Sequence, residues 1–204
     1  MIALASTALV LVDLQNDFLH PQGAYGRSGL KNADIAALPQ TLKPLVERVR
    51  AGGGIIISTH FTLVPGRDGE PIVSPELLQL RPFLRKGDFL PGGWGHALVS
   101  ELPLSDIAIE KIAYSAFYMT RLEWVLRKLN IEQVIFGGIV TNGGVASSVR
   151  DAHVRDFKTI VLEDGCAAFS REMHELSLAA LAPVARIMPV AQVLRETTSA
   201  GIQE

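Results

Sequence analysis

The sequence predicts a doubly wound, Rossmann-like α/β fold with a parallel sheet of about six strands and helices on both faces. Two observations carry this. Four short runs are continuous in Val, Ile and Leu rather than alternating, which marks strands buried on both faces of a sheet. Between them lie stretches with helical spacing and Gly-rich breaks, the order of an α/β domain.

Taken along the chain, residues 8–12 form the first strand, and Leu38, Leu42, Leu45, Val46 and Val49 line a helix despite Pro39 and Pro44. Residues 54–58 form a second strand. Residues 61–104 are rich in proline and glycine and hold no sustained period, so they read as a long excursion over the sheet, a usual place for a binding site. A weaker strand covers 107–110, and Leu122, Val125, Leu126 and Leu129 repeat on one helix face. The strand at 134–139 is followed by a helix lined by Val145, Val149, Ala152 and His153. Residues 159–162 are the next strand, Ser170 is a helix N-cap, and 185–188 form a last weak strand. No repeat or linker divides the chain, so one domain over 1–204 is expected.

The 19 basic and 21 acidic side chains of this 204-residue chain are interspersed, with a net charge of -2. No basic stripe points to nucleic acid or a membrane surface, which leaves small molecules or further copies of the chain as partners. Cys166 is the only cysteine, excluding an internal disulfide and suiting a reducing, cytoplasmic setting. The apolar start, residues 2–12, lacks a basic flank and runs into Asp13, unlike a signal peptide.

In a doubly wound sheet, ligands bind beyond the carboxyl ends of the strands. Asp13 ends the first strand, Lys111 ends a weaker one, and the run Gly138-Ile139-Val140-Thr141-Asn142-Gly143-Gly144 joins the strongest strand to a helix. A buried aspartate is pushed toward its neutral form, and a neighbouring lysine restrains that shift, so the two can pass protons near neutral pH. A plain structural ion pair fits the same spacing. The glycine-rich turn offers backbone N–H groups to an anion, or serves only as a tight crossover.

The blocks Leu11-Val12-Asp13-Leu14-Gln15-Asn16-Asp17-Phe18, Lys111 with Tyr114-Ser115-Ala116-Phe117, and Gly138 to Asn142 with Val145 and Asp151-Ala152 resemble the isochorismatase-like hydrolases in order and spacing. The resemblance spans about residues 5–190 and includes Asp164 and Cys166 to Ser170. It implies the isochorismatase-like α/β fold, a hydrolase, a homo-oligomer (dimer or tetramer) and a small-molecule substrate. Most of the family uses an Asp, a Lys and a Cys; these fall on Asp13, Lys111 and Gly144. Glycine offers no nucleophile, so the thioester route is closed. Cys166 falls elsewhere, as a buried thiol.

The isochorismatases proper also carry glycine there and hydrolyse a vinyl ether. By that likeness a protonated Asp13 delivers a proton to carbon and water traps the cation. This chain departs from them in having Val140-Thr141-Asn142 and His60 where they carry other residues, which leaves the substrate open. The resemblance also implies a cis peptide between Val140 and Thr141. Nicotinamidases hold a metal through an Asp-x-His pair, but here the stretch reads Ser58-Thr59-His60, so neither metal nor cofactor is expected. His60, at a strand end, is a candidate hydrogen-bonding residue for substrate, or a loop histidine. Trp94 is a candidate aromatic wall or interface residue, and Phe18 and Phe117 are pocket walls or core. Val140, Thr141 and Asn142 complete the expected substrate-binding set. Arg67 pairs with a substrate carboxylate or is solvated. Ser147 and Ser148 follow Gly144 on a helix and are not expected to act as nucleophiles. Two functions compete: a hydrolase or amidase using the Asp/Lys pair, and a weakly active relative kept as a small-molecule binder. Retention of both charges favours the enzyme, because an unused buried pair is a liability.

Overall fold

The computed structural model describes residues 1–30 and 32–198; residues 199–204 of the expected domain lie outside them. In chain order the elements are β1 (Ile2–Ala3), β2 (Thr7–Val12), α1 (Asn16–Leu19), α2 (Ala24–Arg27), α3 (Ala33–Ala51), β3 (Ile55–Phe61), α4 (Pro75–Leu80), β4 (Ile107–Lys111), α5 (Leu122–Lys128), β5 (Gln133–Ile139), α6 (Ala146–His153), β6 (Lys158–Ala167), α7 (Arg171–Leu181), β7 (Arg186–Met188), α8 (Val190–Glu196) and β8 (Thr197–Thr198).

Six strands form one sheet in the order β4-β3-β2-β5-β6-β7, every neighbouring pair parallel. All six predicted strands are in it. A second two-stranded pair, β1 with β8, falls outside the sequence expectation; two residues are too few to leave a pattern.

Alternation along the strands divides the core in two. Leu9, Leu11, Ile56, Ile135 and Leu162 face Leu38, Leu42, Leu45 and Val49 of α3 and Val193 of α8. Val10, Ile57, Phe136 and Val161 face Leu126 of α5, Val149 of α6 and Leu181 of α7. Helix α3 runs through Pro39 and Pro44. Each proline costs a helix about 3 kcal/mol, while each buried Leu, Ile or Val contributes about 1.5–3 kcal/mol, so the six buried aliphatic residues of the helix outweigh the breaks. Helix α7 starts where the sequence places its cap: Ser170 accepts from the Met173 N–H at 3.1 Å.

Residues 61–104 do form an excursion, with only α4 as regular structure between β3 and β4. Its aromatic side chains gather in a third cluster, where Phe89 and Leu63 pack with Tyr25 of α2.

Candidate active site

The carboxyl ends of β4, β3, β2 and β5 lie side by side, with Phe61 opposite Lys111, Thr59 opposite Val12, and Val12 opposite Gly138. Asp13, the residue after β2, takes a left-handed conformation (φ 54°) that turns its carboxylate across the strand ends. Oδ2 lies 2.6 Å from Lys111 Nζ, and Oδ1 accepts from Thr59 Oγ1 at 2.7 Å. Both members are almost fully enclosed, at 4% and 2% exposure. Burial pushes the Asp13 carboxyl above its ordinary value, against the pull of Lys111 and the Thr59 hydroxyl. Lys111 also donates to the Ala113 carbonyl at 3.0 Å and lies 5.6 Å from the Phe61 ring centroid.

Gly138 has φ 121°, and a side chain there would collide with the Val12 backbone, so β5 can pass this close to β2 only as glycine. The turn that follows, Thr141–Val145, brings Gly144 against the pair: a β-carbon on Gly144 would lie 3.3 Å from Asp13 Oδ2. The Gly143 and Val145 N–H groups are directed to the Val140 carbonyl, at 2.9 and 3.3 Å, which removes two of the donors the sequence offered to an anion. The cis peptide lies between Ile139 and Val140, one residue earlier than the resemblance implied, because it falls where β5 ends.

Ser148 Oγ donates to the Gly144 carbonyl at 2.6 Å and accepts from the Ala116 N–H at 2.9 Å. It ties the turn to the segment after β4 and has no freedom to attack a substrate. Thr141 is buried, bonded to His174 Nδ1 of α7 at 2.8 Å, while Asn142 is exposed and Val140 half-buried.

Other expected residues are placed differently. His60 is buried with both ring nitrogens engaged, by the Ser58 hydroxyl and the His96 carbonyl, each at 2.8 Å. Strand β3 continues to Phe61, so Thr59 and His60 point to opposite faces, and Thr59 is the one that meets Asp13. Phe117 is in the core against Phe157, under the Arg155 guanidinium. Trp94 is 53% exposed, edge-on to His20 at 4.9 Å. Phe18 stays near the site, 4.6 Å from Phe89, 4.8 Å from Tyr25 and 6.3 Å from Phe61, ring to ring. Cys166 is buried on β6 with its thiol pushed up to about 12, chiefly by burial.

Residues to which sequence reasoning gives no role hold the excursion down. Gln15 donates to the Phe61 and His96 carbonyls, both at 3.0 Å, and accepts from the Phe61 N–H at 2.8 Å. Asp17 accepts from the Ala24 N–H at 3.0 Å and the Phe89 N–H at 2.6 Å. Arg81, at the end of α4, donates to the Tyr25 hydroxyl at 2.7 Å and the Tyr114 hydroxyl at 3.2 Å, whereas Arg67 is exposed. The signal for Gln15 and Asp17 is a polar run straight after a buried strand; for Arg81 there is none.

The isochorismatase domain model matches residues 7–192. The chain belongs to the isochorismatase family. It is a hydrolase of that family, whose members act on small organic molecules. Ureidoacrylate amidohydrolase RutB of Cronobacter turicensis is 32% identical over 170 residues, covering 78% of this chain and 73% of that protein. The RutB of Cronobacter sakazakii is 34% identical over 170 residues, with the same coverage. Among solved structures, a cysteine hydrolase from Pseudomonas syringae pv. phaseolicola superposes with a TM-score of 0.81 at 24% identity, over 95% of this chain and 93% of that one. An isochorismatase-like hydrolase from Alkaliphilus metalliredigens gives 0.74 at 25% identity, over 93% and 98%.

Proposed function

We propose that this isochorismatase-family domain hydrolyses a small organic substrate by proton transfer through Asp13, tuned by Lys111, with water as the nucleophile. The observation that carries this reading is the buried Asp13–Lys111 contact of 2.6 Å beside Gly144, a position with no side chain to attack. Cys166 and Ser148, the nearest candidates by chemistry, are committed to the core and to the turn.

Burial favours the neutral Asp13 carboxyl, which is the form that can donate. With an isochorismate-like vinyl ether, Asp13 protonates the terminal carbon, and water adds to the resulting oxocarbenium ion and returns a proton. The hemiketal then breaks its carbon–oxygen bond to give an alcohol and a ketone. A second reading, an amidase, is favoured by the RutB relatives, which are named for hydrolysis of an amide-type bond. In it the Asp13 carboxylate deprotonates water instead. Turnover of a panel of small vinyl ethers, amides and ureides, with Asp13→Asn as control, separates the two; equal rates in wild type and Asp13→Asn would refute both.

We also infer a homo-oligomer, a dimer or tetramer. Supporting it, Ile112, Tyr118, Met119 and Trp124 are each exposed in the stretch that follows the edge strand β4. Light scattering showing a monomer at micromolar concentration would refute this. The lone buried Cys166 thiol supports a reducing, cytoplasmic setting. Among the described residues, no helix is long and apolar enough to cross a membrane.

A further inference from the structure

We propose that Arg81, clasped between Tyr25 and Tyr114 over the Asp13–Lys111 site, is the anchor for a substrate carboxylate, so that the substrate is a small organic acid. This rests on the hydrolytic reading for its location, since it takes the surroundings of Asp13 as the place where substrate binds.

The clasp meets the surroundings of the Asp13–Lys111 pair at two places. On one side Lys111 faces the Phe61 ring, Phe61 meets Phe18, and Phe18 meets Tyr25 at 4.8 Å. The Asp13 carboxylate adds to the rise of the Tyr25 hydroxyl, after the larger effect of burial. On the other side the Tyr114 ring lies against the turn that carries Gly144: a β-carbon on Gly143 would be 3.3 Å from it. Arg81 therefore links the excursion to Tyr25 on the Phe18 side and to Tyr114 on the Gly143 side.

Its chemistry is one-sided. The guanidinium has five N–H donors and no acceptor, and only two partners are hydroxyls, so donors remain. Each tyrosine oxygen accepts from Arg81, which leaves its own O–H to be donated elsewhere. Burial pushes the Tyr25 hydroxyl above its ordinary value, so it keeps that proton at neutral pH. No ion pair to a carboxylate is formed by Arg81 among the described residues, whereas Arg27, Arg155 and Arg186 each have one. Lys111 is already balanced by Asp13. A half-buried cation flanked by two O–H donors is the complement of a carboxylate, which offers acceptors only. A purely mechanical latch would not need the cation.

The test is calorimetric binding of crotonate and crotonamide, matched in shape and differing in charge. Wild type is expected to bind crotonate about 10- to 100-fold more tightly, the range of hydrogen bonds to a charged group. Arg81→Gln should bring crotonate affinity down to the level of crotonamide; Arg81→Lys should keep part of the preference. Equal affinities in wild type, no binding of crotonate, or an equal loss for both probes in Arg81→Gln would overturn the proposal. Failure of the hydrolytic reading shows separately, as turnover that does not depend on Asp13.

Discussion

A β-carbon built on Gly144 falls 3.3 Å from Asp13 Oδ2 and 3.0 Å from the Ile139 carbonyl oxygen. The position is tight but not closed, so neighbours would have to give by only a few tenths of an ångström. Gly144→Cys is expected to fold and to lower native turnover, because the thiol occupies the space a water needs. A rise in amide hydrolysis on the same substitution would mean that the machinery is a cysteine hydrolase lacking its nucleophile.

Asp13→Asn keeps the shape and removes the proton carrier. Turnover should fall by about 10²- to 10⁴-fold, the worth of general acid–base catalysis. With Asp13 as the acid, the rate should decline as pH rises through its elevated value, since only the protonated form donates. Lys111→Ala removes the cation that favours the carboxylate, so this declining limb should move to higher pH; a shift to lower pH contradicts the assignment.

Cys166 should be inert in the native state. A disulfide reagent at pH 8 should label it only on unfolding, and Cys166→Ala should leave activity within about twofold if the thiol is structural. Burial pushes the folded thiol up to about 12 from an ordinary value of 9.0. Between those values the unfolded chain ionises and the native one does not, so stability falls as pH rises. The Cys166→Ala protein should show a shallower fall over that window; identical slopes would contradict a buried, neutral thiol.

Asp17→Ala strips acceptors from the buried N–H groups of Ala24 and Phe89. A buried donor left unsatisfied costs about 1–3 kcal/mol, so the urea midpoint should drop measurably. A midpoint equal to wild type would mean that the excursion is held without this carboxylate.

The sheet was legible because its central strands, β2 and β5, are buried on both faces and carry no polar interruption, and their ends are where polar residues resume. Asp13 stands at such a resumption and Lys111 ends the weaker strand β4, so their convergence followed from topology. His60 was harder. A strand that stops at Ser58 and one that runs to Phe61 aim different side chains at the site, and the extra residues put Thr59 beside Asp13. Phe117 could not be told from a pocket wall, since both environments select the same side chain. Arg81 and Tyr25 were invisible for a further reason: they are 56 positions apart, and Arg81 sits in the excursion, where no sustained periodicity transmits direction.

The excursion above the site is sewn down at its base. The Leu63 N–H reaches the Phe89 carbonyl at 3.2 Å, and the Phe89 N–H reaches Asp17. Residues 64–88 thus leave and re-enter the fold at one point, like a cassette with a common socket. Arg81 rides inside the cassette, while Asp13, Thr59 and Lys111 belong to the socket side. On the proposed function, grafting this segment from one relative to another would exchange the surface that reads the substrate and leave in place the groups that move the proton.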